Sequence, residues 1–402
     1  MSDASGGTGS RAPSGSRSDR AHAMVDWDLA VTTGTRLVRP GPQVSVAEAR
    51  EVVAALRRHA VTARGLVRDT TGLVADPDGD GPEAGKVAVI DRAGWVRANA
   101  AGFRTVLEPV IDRLRERRGQ APLDGGLVGA VGPRLTGVET GTLLAFLAGK
   151  VLGQYELFPP HGASVSGDTP DAPGRLLLVA PNIVAAEREL GVDADDFRLW
   201  VCVHEETHRV QFGAVPWLRG HVLGEVRAFL DEVDTDPSDV LRRLRTAIEV
   251  VVDAVRDSDA PSEGGGGAGG RSLLDVVQTP TQREVLDRLT AVMSLLEGHA
   301  DHVMDAVGPE AIPSVAEIRE RFQRRRQGAG RADRVLRRLL GLESKMAQYR
   351  DGARFVRGVV DRVGMQGFNR VWESPATLPT LAEISDPASW VARVHGPLAL
   401  EG

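Results

Sequence analysis

Cysteine is almost absent: Cys202 stands alone in 402 residues. No disulfide can form within the chain, and no cysteine-based zinc cluster can be assembled. Aromatic residues make up only 4%, with two tyrosines, too few for the stacking platforms that hold single-stranded nucleic acid. A basic excess is missing as well. The net charge is -6, and lysine occurs only at Lys86, Lys150 and Lys345, so no cationic field for nucleic acid arises. Long apolar runs are also lacking. The most apolar later stretch, 143–152, is short and contains Lys150, which excludes a membrane span there. The first twenty residues are rich in Gly, Ser and Arg without an apolar segment and do not read as a secretory signal. These absences point to a cytoplasmic protein without a nucleic-acid partner. They carry no signal for oligomeric state.

What is present is a chain with 42% hydrophobic residues, enough for a sizeable core. Residues 1–24 read as a disordered tail, and 25–402 as a single domain with a Gly-rich surface loop near 258–270. An irregular segment is expected at 26–38. Ser45 and Glu48 form a capping box that opens a helix. A short strand is expected at 87–91 and a helix over 92–118. Thr136 and Glu139 suggest a capping box opening a small-residue helix over 137–157. The clearest strand is 175–182, closed by Pro181. Asp193 caps the next helix, about nineteen residues long, which Gly213 and Pro216 stop. Later helices are expected over 221–233, 238–255, 279–307, 315–326 and 331–363, with a short one after Asp386. The fold class this implies is α+β, predominantly helical, with a small sheet.

The helix after Asp193 carries His204-Glu205-Glu206-Thr207-His208. Histidines four apart leave the same helix face one turn apart, which lets two imidazoles hold one zinc ion. Glu205 beside the first can act on a water at the metal. Two core-satisfied histidines would give the same spacing without a metal. Against that, residues 199–203 are apolar all round, so the helix is buried, and ionisable groups there are costly unless paired or metal-bound. Cys202 on this helix reads as a small core residue.

A catalytic zinc site needs a third protein ligand. The extended pattern with a further glycine and histidine is excluded, because Gln211 and Ala214 stand there. His221 and Glu225 lie past Pro216 and remain alternatives. The best candidate is Glu297, which shares a helical face with Met293, Leu296, Ala300 and Met304. A carboxylate on that apolar stripe is costly unless it meets a metal. Asp301, one turn on, can accept the free N–H of a ligating histidine. Tyr349, Arg350, His299 and His302 are candidates for stabilising an oxyanion. The strand 176–180 is a candidate to pair with an extended peptide.

H-E-x-x-H followed by a helix bearing E-x-x-x-D resembles the gluzincin group of zinc metallopeptidases, at His204, Glu205, His208, Glu297 and Asp301. More closely, the stretches 91–99, 204–212, 296–302 and 345–352 resemble a zincin-like actinobacterial branch without an assigned reaction, labelled as associated with deazaflavin-coenzyme biosynthesis. The resemblance implies a Zn2+ hydrolase with Glu297 as third ligand and Asp301 orienting a histidine. The expected activity is hydrolysis of a peptide or small amide, with Glu205 as general base and Tyr349 assisting. The alternative is a metal-stabilised binding protein whose zincin site is vestigial.

Overall fold

The computed structural model describes residues 25–75, 87–117, 127–157, 174–231, 280–327 and 342–396. The Gly-rich stretch near 258–270, the tail 1–24 and the helix expected over 238–255 lie outside the described residues. Twelve elements frame the site. α1 spans Trp27–Leu37, α2 Val46–Thr71, β1 Val87–Ile90, α3 Arg92–Arg117 and α4 Leu127–Ala148. β2 is Gly153–Glu156, β3 Arg175–Val179, α5 Ala180–Leu190, α6 Ala194–Ala214 and α7 Pro216–Asp231. α8 is Pro280–Ala306 and α9 Val315–Gln327. Beyond them, α10 spans Leu342–Phe368 and α11 and α12 span Leu381–Ser385 and Pro387–His395. The fold is α+β, predominantly helical, with one three-stranded sheet.

Local chemistry explains most boundaries. Ser45 accepts from the Glu48 backbone N–H at 3.1 Å and starts α2, and left-handed Gly72 ends it. Asp193 accepts from the backbone N–H groups of Asp195 and Asp196 at 3.0 and 2.9 Å and starts α6. Three expectations are corrected. Residues 27–37 form a helix, not an irregular segment: Asp26 caps it by accepting from the Leu29 N–H at 2.9 Å, and it buries Ala30 and Gly34 while packing Trp27 and Val31 on the core. Thr136 lies inside α4, which begins at Leu127 and stops at Ala148, and the residues after it form strand β2. Pro181 opens α5 in its first turn, where its missing N–H costs nothing, so β3 ends at Val179.

The sheet order is β1-β3-β2, with β1 parallel and β2 antiparallel to β3. β3 is therefore central, with Leu177 paired to Ala88 on one side and Gln154 on the other. Both its edges are occupied, so β3 is a core strand and does not offer an edge to a peptide. β1 and β2 are the two edge strands, and β2 is the one that lies against α6.

α6 packs against α2 on one side and α8 on the other. Leu56, Ala60, Ala63 and Val67 of α2 meet Phe197, Val201, Cys202 and Val203 of α6 in one core cluster. On the far side of α8, Leu295 and Leu296 join Phe355, Val356, Val359, Phe368 and Trp390 in a second. α8 and α10 cross closely at a pair of glycines: a Cβ on Gly298 would collide with the Gly352 backbone, and one on Gly352 with the Ser294 carbonyl. That crossing fixes the height of Glu297, one residue before Gly298. Among the described residues, no helix is long and apolar enough to cross a membrane.

The same substitution is expected to act with opposite sign at two helical glycines. Gly352→Ala should destabilise by about 1–3 kcal/mol through overpacking. Gly65→Ala, with nothing within 4 Å of the new methyl, should stabilise by about 0.4–1 kcal/mol. Thermal unfolding of both variants against wild type checks the pair.

Candidate metal centre

α6 carries His204, Glu205 and His208, with the imidazole centroids of the two histidines 4.8 Å apart and their planes at 88°. Their Nε2 atoms are separated by 3.3 Å. Glu297 approaches from α8, with Oε2 3.7 Å from His204 Nε2 and Oε1 3.7 Å from His208 Nε2. One ligand atom from each residue lies within 4.8 Å of the other two, and this is the one such His/Cys/Asp/Glu group among the described residues. Tetrahedral zinc with bonds of about 2.0–2.2 Å would set its ligand atoms roughly 3.3–3.6 Å apart. The donor set therefore fits the ion in type and spacing: two imidazoles and a carboxylate around one point. The three side chains are half-buried, which leaves one side of the centre open.

Glu205 differs from its neighbours. It is buried, and burial raises its carboxyl pKa well above the usual carboxylate range, with the charge of Glu297 adding to the effect. Edge strand β2 lies directly on it: a Cβ on Gly153 would sit 2.6 Å from the Glu205 carboxyl carbon. Only glycine allows that approach. Glu206, next in sequence, is turned away into an ion pair with Arg209, both buried. Burial raises the Glu206 pKa, and Arg209 and Arg64 oppose it. Cys202 is buried against α2, and burial, then Glu206 and Glu205, push its thiol pKa up. It is a core residue.

The outer nitrogens of the two histidines run to side chains that the sequence pattern did not single out. His204 Nδ1 lies 3.2 Å from Met304 Sδ, and His208 Nδ1 lies 2.9 Å from Gln211 Oε1. Gln211, three residues past His208, shares its helical face, a spacing legible in principle. Gly153 left no such signal, because its role depends on a strand folding back from far earlier in the chain. Asp301 opens into the cavity lined by His204, Glu205, Trp200, Met304 and Phe322, with Arg319 close enough to feel its charge. Arg319 is also paired with Asp305.

The remaining expected residues are placed as follows. Glu225 is committed to Arg288, at 2.9–3.1 Å, and His221 packs on Trp217. His299 is fully buried between Phe368 and Trp372, and burial, then His302 and His208, lower its pKa to about 3. It is turned into the α8–α10 core. Tyr349 and Arg350 belong to α10, but their side chains lie outside the described residues.

The family follows from this architecture. The chain belongs to the zincin-like metallopeptidases, whose family model matches residues 25–391. Among solved structures it is similar to a protein from Chloroflexus aurantiacus described as a candidate hydrolase with a novel fold. The two share 31% sequence identity over 94% of this chain and 100% of that one, with a TM-score of 0.60. No curated protein matches the chain. The family is one of metal-dependent hydrolases, and the His204–His208–Glu297 group is where this chain can hold a metal ion.

Elemental analysis of the full chain is expected to find about one zinc per molecule. Glu297→Ala should lose most of it while keeping the helical circular-dichroism spectrum. Full zinc retention in that variant would move the third ligand elsewhere.

Proposed function

We propose that the protein is a zinc-dependent hydrolase that cleaves a peptide or small amide bond, with His204, His208 and Glu297 holding the metal and Glu205 as general base. The observation that carries this reading is the position of Glu205. It adjoins His204 on α6, is buried, and is pressed against the backbone of β2 at Gly153. A group retained only for metal binding would need none of this.

Zinc, when bound, supplies a Lewis acid that polarises a carbonyl and makes water more acidic. Glu205 then takes the proton from the attacking water and delivers it to the leaving amine. Burial, with the Glu297 charge beside it, raises its pKa, because the buried site solvates a lone carboxylate poorly. Beside a cation held by His204, His208 and Glu297, Glu205 would be ionised and able to accept a proton. Asp301, which lines the same cavity, is proposed to orient a ligating histidine. Tyr349 is proposed as an oxyanion donor from α10. The edge of β2 beside Glu205 offers backbone N–H and C=O groups to an extended substrate, which favours a peptide over a compact amide.

Glu205→Gln should retain the wild-type zinc content and lose about 10²–10⁴-fold in kcat on whichever substrate a peptide-library screen yields. Equal turnover in the variant would remove Glu205 from the chemistry. No cleavage of any library member by the zinc-loaded wild type would favour a binding protein instead.

A further inference from the structure

Gln211 lies one turn beyond His208 on α6 and is completely buried. Its amide touches three groups. Nε2 is 2.9 Å from the Leu296 carbonyl oxygen and 3.0 Å from His299 Nδ1, and Oε1 is 2.9 Å from His208 Nδ1. These contacts determine one another. A backbone carbonyl can only accept, so the amide end facing Leu296 must be the NH2. The orientation of the carboxamide, ordinarily ambiguous, is therefore fixed by the chain itself. The oxygen end is left facing His208, whose Nδ1 must donate to it. A neutral imidazole carries one N–H, so His208 Nε2 bears a lone pair. That is the atom 3.7 Å from Glu297 Oε1, facing the centre.

The second amide N–H points at His299 Nδ1, which must accept it. His299 then carries its proton on Nε2, where no partner stands among the described residues. The ring is held by Phe368 at 5.2 Å and Trp372 at 5.5 Å, on the segment that ends α10 and follows it. A buried N–H without a partner is costly. This one persists because aromatic packing and the Gln211 amide both hold the ring in place.

We infer that Gln211 is a positioning residue: its carboxamide, oriented by the Leu296 carbonyl, holds His208 in the Nδ1–H tautomer and aims an unprotonated Nε2 at the metal position. The same amide ties α6 to α8 at the residue before Glu297, so one side chain sets both the protonation of one ligand and its distance from another. This rests on the metal reading above, yet the tautomer itself is a property of the metal-free chain and can be read without any metal.

The test uses full-length protein labelled with [15N]histidine. Long-range 1H–15N correlation of the metal-free wild type at about pH 8, where imidazoles are neutral, is expected to show His208 with its proton on Nδ1 and His299 with its proton on Nε2. Variants at each histidine assign the signals. In Gln211→Leu, His208 should leave the Nδ1–H form, and zinc affinity by chelator competition should fall about 10–100-fold. Gln211→Glu keeps an acceptor toward His208 but loses the donor toward the Leu296 carbonyl, so it should keep more of the Nδ1–H form than the leucine variant does. A wild-type His208 protonated on Nε2, or equal zinc affinity in Gln211→Leu, would overturn the inference. Should the leucine variant not fold, the wild-type spectrum alone decides. A wild type that binds no zinc defeats the metal reading and leaves the tautomer result standing.

Discussion

Glu297 and the pair His204–His208 arrive on different helices, and the site exists only because α8 crosses α6 at one height. Two contacts set that height. On the outer side, Gly298 and Gly352 let α10 press onto α8 backbone to backbone. On the inner side, Gln211 reaches from α6 to the Leu296 carbonyl. Helices that pack through side chains lie about 8–10 Å apart, and shifting α8 by a fraction of a turn would carry the carboxylate out of reach of both imidazoles. The ligand geometry is thus a consequence of packing on both faces of α8.

The same helices concentrate ionisable groups where water is scarce, and each is accommodated differently. Glu206 and Arg209 form a buried ion pair, although burial still outweighs their attraction in raising the Glu206 pKa. His299 stays uncharged, wedged between aromatic rings. Glu205 has neither a cationic partner among its pKa-shifting neighbours nor an apolar excuse; the group that shifts it after burial is another carboxylate, Glu297. Two carboxylates and two imidazoles meeting in a half-buried cleft are held together most economically by a cation. The distribution of charge around α6 therefore separates its paired charges from the group that could hold a metal ion.

Much of this was legible in the sequence. The i, i+4 histidines, the all-round apolar run before them and the Asp193 cap identified α6 as a buried helix with two side chains on one face. Glu297 was legible as a carboxylate on an apolar stripe, which is why it could be matched with His204 and His208 before any geometry. Gly153 was not, because strand β2 was read as the end of a helix: its small and polar residues follow the small-residue run of α4 without a break in pattern. α1 does carry a signal, the Asp26 cap and an amphipathic pattern that sets Trp27 and Val31 on the core beside Ala30 and Gly34. Gln211 was seen only as the residue that ruled out a longer motif, and its orientation depends on a carbonyl from another helix, which no spacing encodes.

X-ray absorption at the zinc K edge, on the zinc-loaded wild type, tests whether His204, His208 and Glu297 hold the metal. A first shell of nitrogen and oxygen alone at about 2.0–2.2 Å is expected, with the outer-shell scattering of two imidazoles. A sulfur neighbour at about 2.3 Å, or an all-oxygen shell without imidazole, would contradict it.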